Sequence, residues 1–486
     1  MRNSWAISEA VADVAGVDLH LDLSGPGGVR AALIRALREA VRSGRLVAGT
    51  RLPSSRSLAT DLGLARNTVA DAYGELVAEG WLTARQGSGT RVAPRPAPRP
   101  AARRARPVPA VARPAYDLRP GSPDVSAFPR TAWLAAARRA LSAAPHTAFG
   151  YGDGRGRPEL RAALADYLAR ARGVRTDPER IVVCAGFMQG LALLGRVLRR
   201  RGIAAAGIER YGLWYHHQAL ERAGLRLSPL PLDEHGAQVA ELDDRTDLRA
   251  VLLSPAHQFP TGVPLHPGRR AAVVRWASRV DGLILEDDYD GEFRYDRQPV
   301  GALQGLAPEQ VVYCGTASKS LAPGLRLGWL VLPEHLVDEV LAVKSTGEWG
   351  NSALDQLTLA EFINSGAYDR HVRSMRLRYR RRRDELVAAL AGRAPHIGVT
   401  GIAAGLHVVL RLPPGTEQDV LRAAAWDGLA MDGLSRFRYS EGEDEAEDRG
   451  ERAFDGLIVA YGTPPDHAFP GALEALLRVL PGPAGG

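Results

Sequence analysis

The chain has 486 residues, 45% of them hydrophobic, which is enough to bury the cores of two to four domains. No run of 18 or more apolar residues and no charged-then-apolar leader occurs, so we expect an unexported, cytoplasmic protein that does not enter the membrane. The formal net charge of +7 is uneven, because residues 1–115 hold 17 Arg against 9 Asp and Glu. This asymmetry indicates a polyanion-binding end on a nearly neutral body.

Composition divides the chain into five segments. Residues 94–116 alternate Pro, Ala and Arg, which cannot build a core and favour an extended linker. Before this linker we expect an N-terminal extension over 1–28 and a small module over 29–93. After it, apolar strand-like runs alternate with amphipathic helical stretches over 117–345, which predicts a large α/β domain with a mostly parallel, helix-covered sheet. Arg-rich helices and a weaker α+β pattern over 346–486 predict a smaller domain.

The module over 29–93 has the pattern of a winged helix-turn-helix. Residues 29–46 carry apolar residues at helical spacing, and "PSSRSLATDLG" begins with helix-cap residues and ends on Gly63. "ARNTVADAYGELVAEG" predicts a second helix whose first turn displays Arg66, Asn67 and Thr68, residue types that contact bases and phosphates. "WLTARQGSGTRVA" then predicts two short strands around a glycine-rich tip that can approach phosphate closely.

These stretches resemble the winged-helix domain of GntR-type regulators, and "LPSSRSLATDLGLARNTV" and "AEGWLTARQGSGTRV" carry the match. The resemblance implies binding to double-stranded operator DNA. The DNA contacts that we expect are Arg56, Arg66, Asn67, Thr68, Arg85, Gly87 and Gly89.

Polar residues follow several predicted strands of the large domain, where open α/β sheets bind ligands. In "LILEDDYDGEF", successive strand residues point to opposite faces, so Asp287 and Tyr289 share one face and Asp288 does not. Clustered carboxylates can also bind a metal, but no second Asp/Glu cluster at a strand end accompanies this one, and we expect no metal site. One carboxylate and one phenol on a shared face suit a protonated heterocycle that bears a phenolic oxygen.

Two further strand ends give weaker signals. "CAGFMQG" turns into a helix through Gly186, where free backbone amides could hold a phosphate, although a plain strand-to-helix turn has the same pattern. His257 follows a strand in "SPAHQFPTG", and a lone histidine at such a position is more often structural.

Of the 62 lysine and arginine residues, two are lysines, Lys319 and Lys344. Lys319 lies in "GTASKSLAPGLRLG", with hydroxyl groups at Thr316 and Ser318 and with Arg326 downstream. A lysine amine can form a Schiff base with an aldehyde, whereas a guanidinium stays protonated, and hydroxyl groups beside an arginine can hold a phosphate. With the carboxylate and phenol described above, this set predicts pyridoxal 5′-phosphate (PLP) as the cofactor. Lys344 has no such neighbours and is expected on the surface.

The segments "FGYGDGRGRPELRAALADYLARARGV", "HQFPTG", "EDDYDGEFRY" and "SKSLAPGLRLGWL" resemble the fold type I aminotransferase family over residues 117 to about 480. A winged helix, a linker and an aminotransferase-like domain in this order are similar to the MocR subfamily of GntR-type regulators. The resemblance implies a domain-swapped homodimer in which Lys319 forms the internal aldimine, Asp287 pairs with the pyridine nitrogen and Tyr289 with the phenolic oxygen. The other implied cofactor contacts are Thr316, Ser318, Arg326, Gly186, Phe187, Met188, His257 and, from the partner subunit, Tyr151.

Two departures from aminotransferases concern the residues around the cofactor. The residue that stacks on the cofactor ring stays open in "IERYGLWYHH", where the candidates are Leu213, Trp214, Tyr215 and His216. The strand in "FDGLIVAYG" has no arginine to hold a substrate carboxylate, and Arg452 is the nearest upstream.

These departures favour a sensor over a competent transaminase. The predicted function is a PLP-binding transcriptional regulator that senses PLP itself, or an amine or amino acid, and that is not an enzyme, although a transaminase half-reaction could remain. The alternatives are an active aminotransferase with a fused DNA-binding module and a regulator whose PLP pocket is dead.

Overall fold

A computed structural model describes residues 21–24, 27–85, 89–94, 114–295, 300–345, 351–440 and 454–482. The chain forms two compact units, Met1–Val111 and Ala112–Gly486. Most of the expected N-terminal extension over 1–28 and linker over 94–116 lies outside the described residues, as do Gly87 and Arg452. None of the helices in the described ranges is both long and apolar enough to cross a lipid bilayer.

The first unit consists of three helices followed by an antiparallel pair of strands. The elements are α1 (Gly28–Arg42), α2 (Ser55–Leu62), α3 (Arg66–Ala78), β1 (Leu82–Arg85) and β2 (Gly89–Val92). The strands pair from Leu82 opposite Val92 to Arg85 opposite Gly89. This is the expected order of a winged helix-turn-helix.

Local signals set the ends of α2, and a shared core orients α3. Ser54 Oγ accepts a hydrogen bond from Ser57 N at the start of α2, and Gly63 ends the helix with a φ of 66°. Leu58 of α2 and Val69 of α3 are at most 1% exposed in the core of the unit. Because Val69 is fixed in the core, the residues just before it on α3 are left to solvent.

The second unit contains a large sheet, a small sheet and two short strand pairs, surrounded by helices. The helices are α4 (Arg130–Ala143), α5 (Pro158–Arg172), α6 (Phe187–Arg200), α7 (Trp214–Arg222), α8 (Pro267–Val280), α9 (Val337–Lys344), α10 (Ala353–Asn364), α11 (Ala367–Arg393), α12 (Glu417–Trp426) and α13 (Phe469–Val479). The strands are β3 (Tyr116–Asp117), β4 (Ile181–Cys184), β5 (Ala205–Glu209), β6 (Arg226–Leu230), β7 (Leu232–Asp233), β8 (Gly236–Ala237), β9 (Ala250–Leu253), β10 (Leu283–Asp288), β11 (Val311–Thr316), β12 (Gly328–Val331), β13 (Gly398–Thr400), β14 (Val408–Arg411), β15 (Leu429–Ala430), β16 (Asp432–Gly433) and β17 (Gly456–Val459).

The large sheet has seven strands in the order β4-β12-β11-β10-β9-β5-β6. Strand β12 runs antiparallel to both of its neighbours, and the strands from β11 to β6 pair in parallel. Helices α5, α8 and α10 pack on one face of the sheet, and α6, α7 and α9 pack on the other. The expected mostly parallel sheet with helices on both faces is confirmed.

The small sheet is antiparallel, with the order β13-β14-β17-β16. It packs with α12, α13 and the 27-residue helix α11 around a second apolar core. Strand β15 pairs in parallel with β3 near the start of the unit. Both sheets belong to the second unit, and residues that follow or precede their strands can line a common cavity.

Candidate functional site

A cavity of about 260 Å³ opens at the carboxyl ends of the parallel strands of the large sheet. Residues at or just beyond the ends of β5, β10 and β11 form part of its wall, and the first turn of α6 forms another part. Leu406 and Ala460, next to strands of the small sheet, also line it. The cavity brings together eight residues predicted from the sequence: Phe187, Met188, Asp287, Tyr289, Thr316, Ser318, Lys319 and Arg326.

Strand β10 separates its two aspartates as the alternation along a strand predicts. Asp288 pairs with the buried Arg172 through hydrogen bonds of 2.7 and 3.0 Å and accepts another from Tyr313 Oη at 2.8 Å. Asp287 lines the cavity instead, and its buried Oδ1 has no hydrogen-bond partner among the described residues. Burial raises the pKa of Asp287 well above its usual range, although the nearby Lys319 lowers it. Asp287 Oδ1 can therefore accept a hydrogen bond from an N–H group of a ligand in the cavity.

Tyr289 also lines the cavity, and His257 supports it from behind. Tyr289 Oη lies 3.1 Å from His257 Nδ1, which lies 2.9 Å from Asp290 Oδ2. His257 is 3% exposed and does not belong to the cavity wall. Burial raises the pKa of Tyr289, and the neighbouring Asp290 and Asp287 raise it further, so the phenol stays protonated. The structure therefore places His257 as a support for Tyr289 rather than on the cavity surface.

Lys319 lines the cavity and contacts a segment near the start of the second unit. Its Nζ donates a hydrogen bond to Gly121 O at 2.6 Å. Burial lowers the pKa of Lys319, and the carboxylates of Asp287 and Asp290 oppose that shift. A lowered pKa increases the fraction of neutral amine, which is the form that attacks a carbonyl carbon.

The hydroxyl groups of Thr316 and Ser318 lie 2.9 Å apart. Both residues line the cavity together with Arg326 and with the first turn of α6. Arg326 Nη2 donates to Ala185 O at 2.5 Å. Gly186, with a φ of 81°, permits this approach, because a Cβ there would lie 3.3 Å from Arg326 Nη1. The N–H groups at the start of α6, the two hydroxyl groups and the Arg326 guanidinium together can hold an anion such as phosphate. We call this group of donors the phosphate cradle.

This set of donors and acceptors fits PLP. The unpaired Asp287 oxygen suits the pyridinium N–H, the Tyr289 phenol suits the phenolic oxygen, and the cradle at the start of α6 suits the phosphate. In the described ranges, no group of His, Cys, Asp or Glu side chains has an arrangement that could hold a metal ion. When bound, PLP would supply an aldehyde that accepts amines, and Lys319 is the lining residue whose amine could react with it.

The cavity wall narrows the choice of the residue that covers the cofactor ring. Leu213, Tyr215 and His216 line the cavity, whereas Trp214 does not and is 47% exposed. His216 packs on Phe187 with ring centroids 4.6 Å apart. Burial lowers the pKa of His216 to about 3, so its imidazole is neutral.

The sequence analysis missed Glu209, the last residue of β5. Its buried carboxyl group lines the cavity and accepts hydrogen bonds from Ser254 N at 3.1 Å and from Gln258 Nε2 at 3.4 Å. Burial raises its pKa to about 8. The signal that identified Asp287, a polar residue at the end of an apolar strand, is also present in "IAAAGIE" and could have found it.

The prediction of a surface position for Lys344 was wrong. This residue is 3% exposed, and its Nζ donates hydrogen bonds to Gly154 O at 2.7 Å and to Val183 O at 2.6 Å. Its partners are backbone carbonyl groups of distant segments, which leave no mark in the sequence around the lysine. Tyr151, in the same region, lies off the cavity wall, and its side chain is 96% exposed.

In the first unit, the predicted DNA contacts that fall on described residues are exposed or half-buried. Arg66 and Asn67 are exposed in the first turn of α3, Thr68 is half-buried, and Arg56 is exposed on α2. Arg85 is exposed at the end of β1, and Gly89 begins β2 with a φ of 78°. A free helix start beside a two-stranded wing is the arrangement with which a winged helix enters a DNA groove.

Comparison with known proteins identifies both units. The family described as Aminotransferase class I and II matches residues 119–442, and the family described as Bacterial regulatory proteins, gntR family, matches residues 30–92. The probable rhizopine catabolism regulatory protein MocR of Rhizobium meliloti is 34% identical over 86% of this chain and 89% of its own length. The chain belongs to the MocR subfamily of GntR-type regulators.

Other members and neighbours of this MocR-type regulator agree. The HTH-type pyridoxine biosynthesis transcriptional regulator PdxR of Corynebacterium glutamicum is 34% identical over 93% of this chain and 95% of its own length. An archaeal alanine:glyoxylate aminotransferase structure superposes with a TM-score of 0.67 at 25% identity, covering 75% of this chain and 90% of that one. This MocR-type regulator therefore combines a DNA-binding unit with a PLP-binding unit of fold type I.

The buried carboxyl group of Asp287, whose Oδ1 has no hydrogen-bond partner among the described residues, should destabilise this MocR-type regulator when PLP is absent. Because its pKa is raised on folding, Asp287 contributes stability below the ordinary aspartate pKa of about 3.9, and that contribution is lost as the pH rises through the raised value. At neutral pH we expect the free energy of unfolding of PLP-free Asp287→Asn to be about 1–3 kcal/mol higher than that of the parent protein. The variant should also bind PLP more weakly than the parent protein. Urea unfolding at pH 5 and pH 8 checks this, and equal stability of the two proteins at pH 8 would contradict it.

Proposed function

We propose that this protein is a transcriptional regulator of the cytoplasm whose PLP-binding unit senses PLP itself, or an amine or amino acid that reaches Lys319. The observation that carries the proposal is that one chain has both a cavity whose donors and acceptors fit PLP and an exposed helix-turn-helix face. Its relatives include regulators named for pyridoxine biosynthesis, for probable control of rhizopine catabolism and as TauR. The residues proposed to hold the cofactor are those of the cavity wall, with His257 behind Tyr289.

The charges around the cavity support sensing rather than turnover. Among the described residues, the cavity wall has two cationic side chains, Lys319 and Arg326. In the proposed complex the cofactor would engage both of them. Three histidines also line the cavity, but burial lowers their pKa values to about 3 for His216, 4 for His217 and 3 for His407, so all are neutral. A buried substrate carboxylate without a cationic partner is costly, which disfavours efficient transamination of amino acids. A slow half-reaction remains compatible with this cavity.

We further propose a domain-swapped homodimer. Its support is an apolar surface on α4 and on the segment that follows, where large side chains are exposed: Leu134, Leu141, Phe149 and Tyr151. A second copy of the chain that covers this surface would bring Tyr151 toward the phosphate cradle of its partner. Occupancy of the two cofactor sites could then bias the spacing of two DNA-binding units on their half-sites.

The proposal is tested by titrating the purified chain with PLP and then with amines and amino acids, while absorbance and operator affinity are followed on DNA from upstream of its own gene. We expect a yellow protein whose operator affinity changes with PLP or with a subsequent amine. Operator affinity that is unchanged by all of these ligands would refute sensing. Sustained turnover of an amino acid with a keto acid would instead favour an aminotransferase with a fused DNA-binding module.

A further inference from the structure

We propose that Lys344 is a positioning residue that holds the glycine-rich segment 149–157 in place, so that Tyr151 is presented to the cofactor phosphate of the partner subunit. This inference rests on the homodimer of the proposed function. Lys344 ends α9, and its ammonium group is buried between backbone carbonyl groups of two different segments. One of these, Gly154 O, belongs to the glycine-rich segment, and the other, Val183 O, belongs to β4.

The position of β4 explains why such a contact is needed. β4 is the edge strand of the large sheet, so its outer side has no neighbouring strand in the part of the chain that the structure describes. Val183 N donates instead to Arg155 O at 2.8 Å, and Val183 O accepts from Lys344 Nζ at 2.6 Å. The glycine-rich segment and Lys344 therefore together satisfy the outward-facing N–H and C=O groups of Val183 in the edge strand.

Other residues of the glycine-rich segment are held by contacts in the same region. Arg157 N donates to Gln356 Oε1 at 2.7 Å, and Gly156, at a φ of 98°, lies so close that a Cβ there would be 2.6 Å from that oxygen. The anchored residues 154–157 begin three positions after Tyr151, a residue that is 96% exposed. The backbone that carries Tyr151 thus continues into a fixed base, in which Lys344 joins Gly154 to β4. Arg155 adds an ion pair with Asp153 at 2.7 Å.

The choice of lysine is informative in a chain that uses arginine almost everywhere. An ammonium group is a compact charge with three donors, which can bridge two carbonyl oxygens at 2.6 and 2.7 Å inside a core. A planar guanidinium is larger and directs its donors along fixed lines, so it cannot replace that geometry. Beyond Val183, β4 leads through Gly186 into α6, so the same ammonium joins the strand that carries the subunit's own phosphate cradle to the segment that carries Tyr151.

A comparison of PLP with pyridoxal, which lacks the phosphate, separates positioning from general stability. For both Lys344→Met and Tyr151→Phe we expect a roughly tenfold weaker PLP affinity, equivalent to about 1.4 kcal/mol, and little change for pyridoxal. The double variant should lose no more than one single variant, because both act on the same phosphate contact. Val343→Ala serves as the control, since it shortens a side chain of α9 that is 1% exposed and belongs to the apolar cluster shared with α6, and it should keep the ratio of the two affinities.

Lys344→Arg provides a second variant in case the methionine variant does not fold, and we expect the same selective loss of PLP affinity. If Tyr151→Phe lowers the ratio of PLP to pyridoxal affinity while the folded Lys344 variants leave it unchanged, the role of Lys344 is refuted and the homodimer proposal stands. If Tyr151→Phe leaves the ratio unchanged, the contact across the homodimer fails, and the role of Lys344 fails with it. A loss of affinity for both ligands to the same extent would show that Lys344 is merely structural.

Discussion

Replacing Lys319 with arginine is expected to abolish the retention of PLP when the protein passes through a desalting column. Arginine keeps the positive charge but cannot form a carbon–nitrogen double bond with an aldehyde, because its guanidinium stays protonated. The other contacts of the cavity wall, among them the Thr316 and Ser318 hydroxyl groups, would remain and would allow only reversible binding. The measurement is the absorbance of the eluted protein before and after borohydride treatment.

The second lysine of the chain serves as an internal control for this experiment. Borohydride should attach the cofactor to the peptide that contains Lys319 and leave the peptide that contains Lys344 unmodified, since Lys344 Nζ is buried against two carbonyl groups. Lys319→Arg should also bind operator DNA in the absence of PLP as the parent protein does. A Lys319→Arg variant that elutes yellow, or a label on Lys344, would contradict the assignment.

The cavity residues that lie at strand ends could be predicted because their sequence signal, a polar residue after an apolar strand, is local. Alternation along β10 separates Asp287 from Asp288 whatever the rest of the chain does, and the polar run after β11 places Lys319 at the same edge of the sheet. The helix-turn-helix could be predicted for the same reason, since the cap at Ser54 and the stop at Gly63 act within a few residues. The roles of these residues in binding PLP and DNA stay predictions.

Contacts between distant segments could not be predicted from one sequence. Arg172 and Asp288 are 116 residues apart, and Lys344 and Val183 are 161 residues apart, yet each pair is buried and hydrogen-bonded. Their partners are fixed by the order of strands and by the packing of α5 and α9, which no local pattern encodes. The residue that covers the cofactor ring stayed open for a similar reason, since the start of α7 decides that Trp214 points away from the cavity while its neighbours line it.

Replacing Arg66 with alanine is expected to weaken operator binding by about 1–3 kcal/mol, while binding to non-operator DNA changes little. Arg66 is the first residue of α3, and its exposed side chain lies one turn before Val69, which is buried in the core of the unit. The core therefore holds the start of α3 rigidly, and a base contact made there is lost without reorganising the helix. Gel shifts on operator and scrambled DNA of equal length measure both affinities.

Arg56→Ala is the matched variant, because Arg56 is also an exposed arginine of the helix-turn-helix but lies on α2, where a phosphate contact is expected. Its loss should weaken binding to both DNAs by a similar factor and should reduce the slope of log affinity against log salt by about one. Arg66→Ala should instead lower the preference for the operator at every salt concentration. If the two variants give the same pattern, α3 is not the helix that reads the bases, and the proposed orientation of the first unit on DNA is wrong.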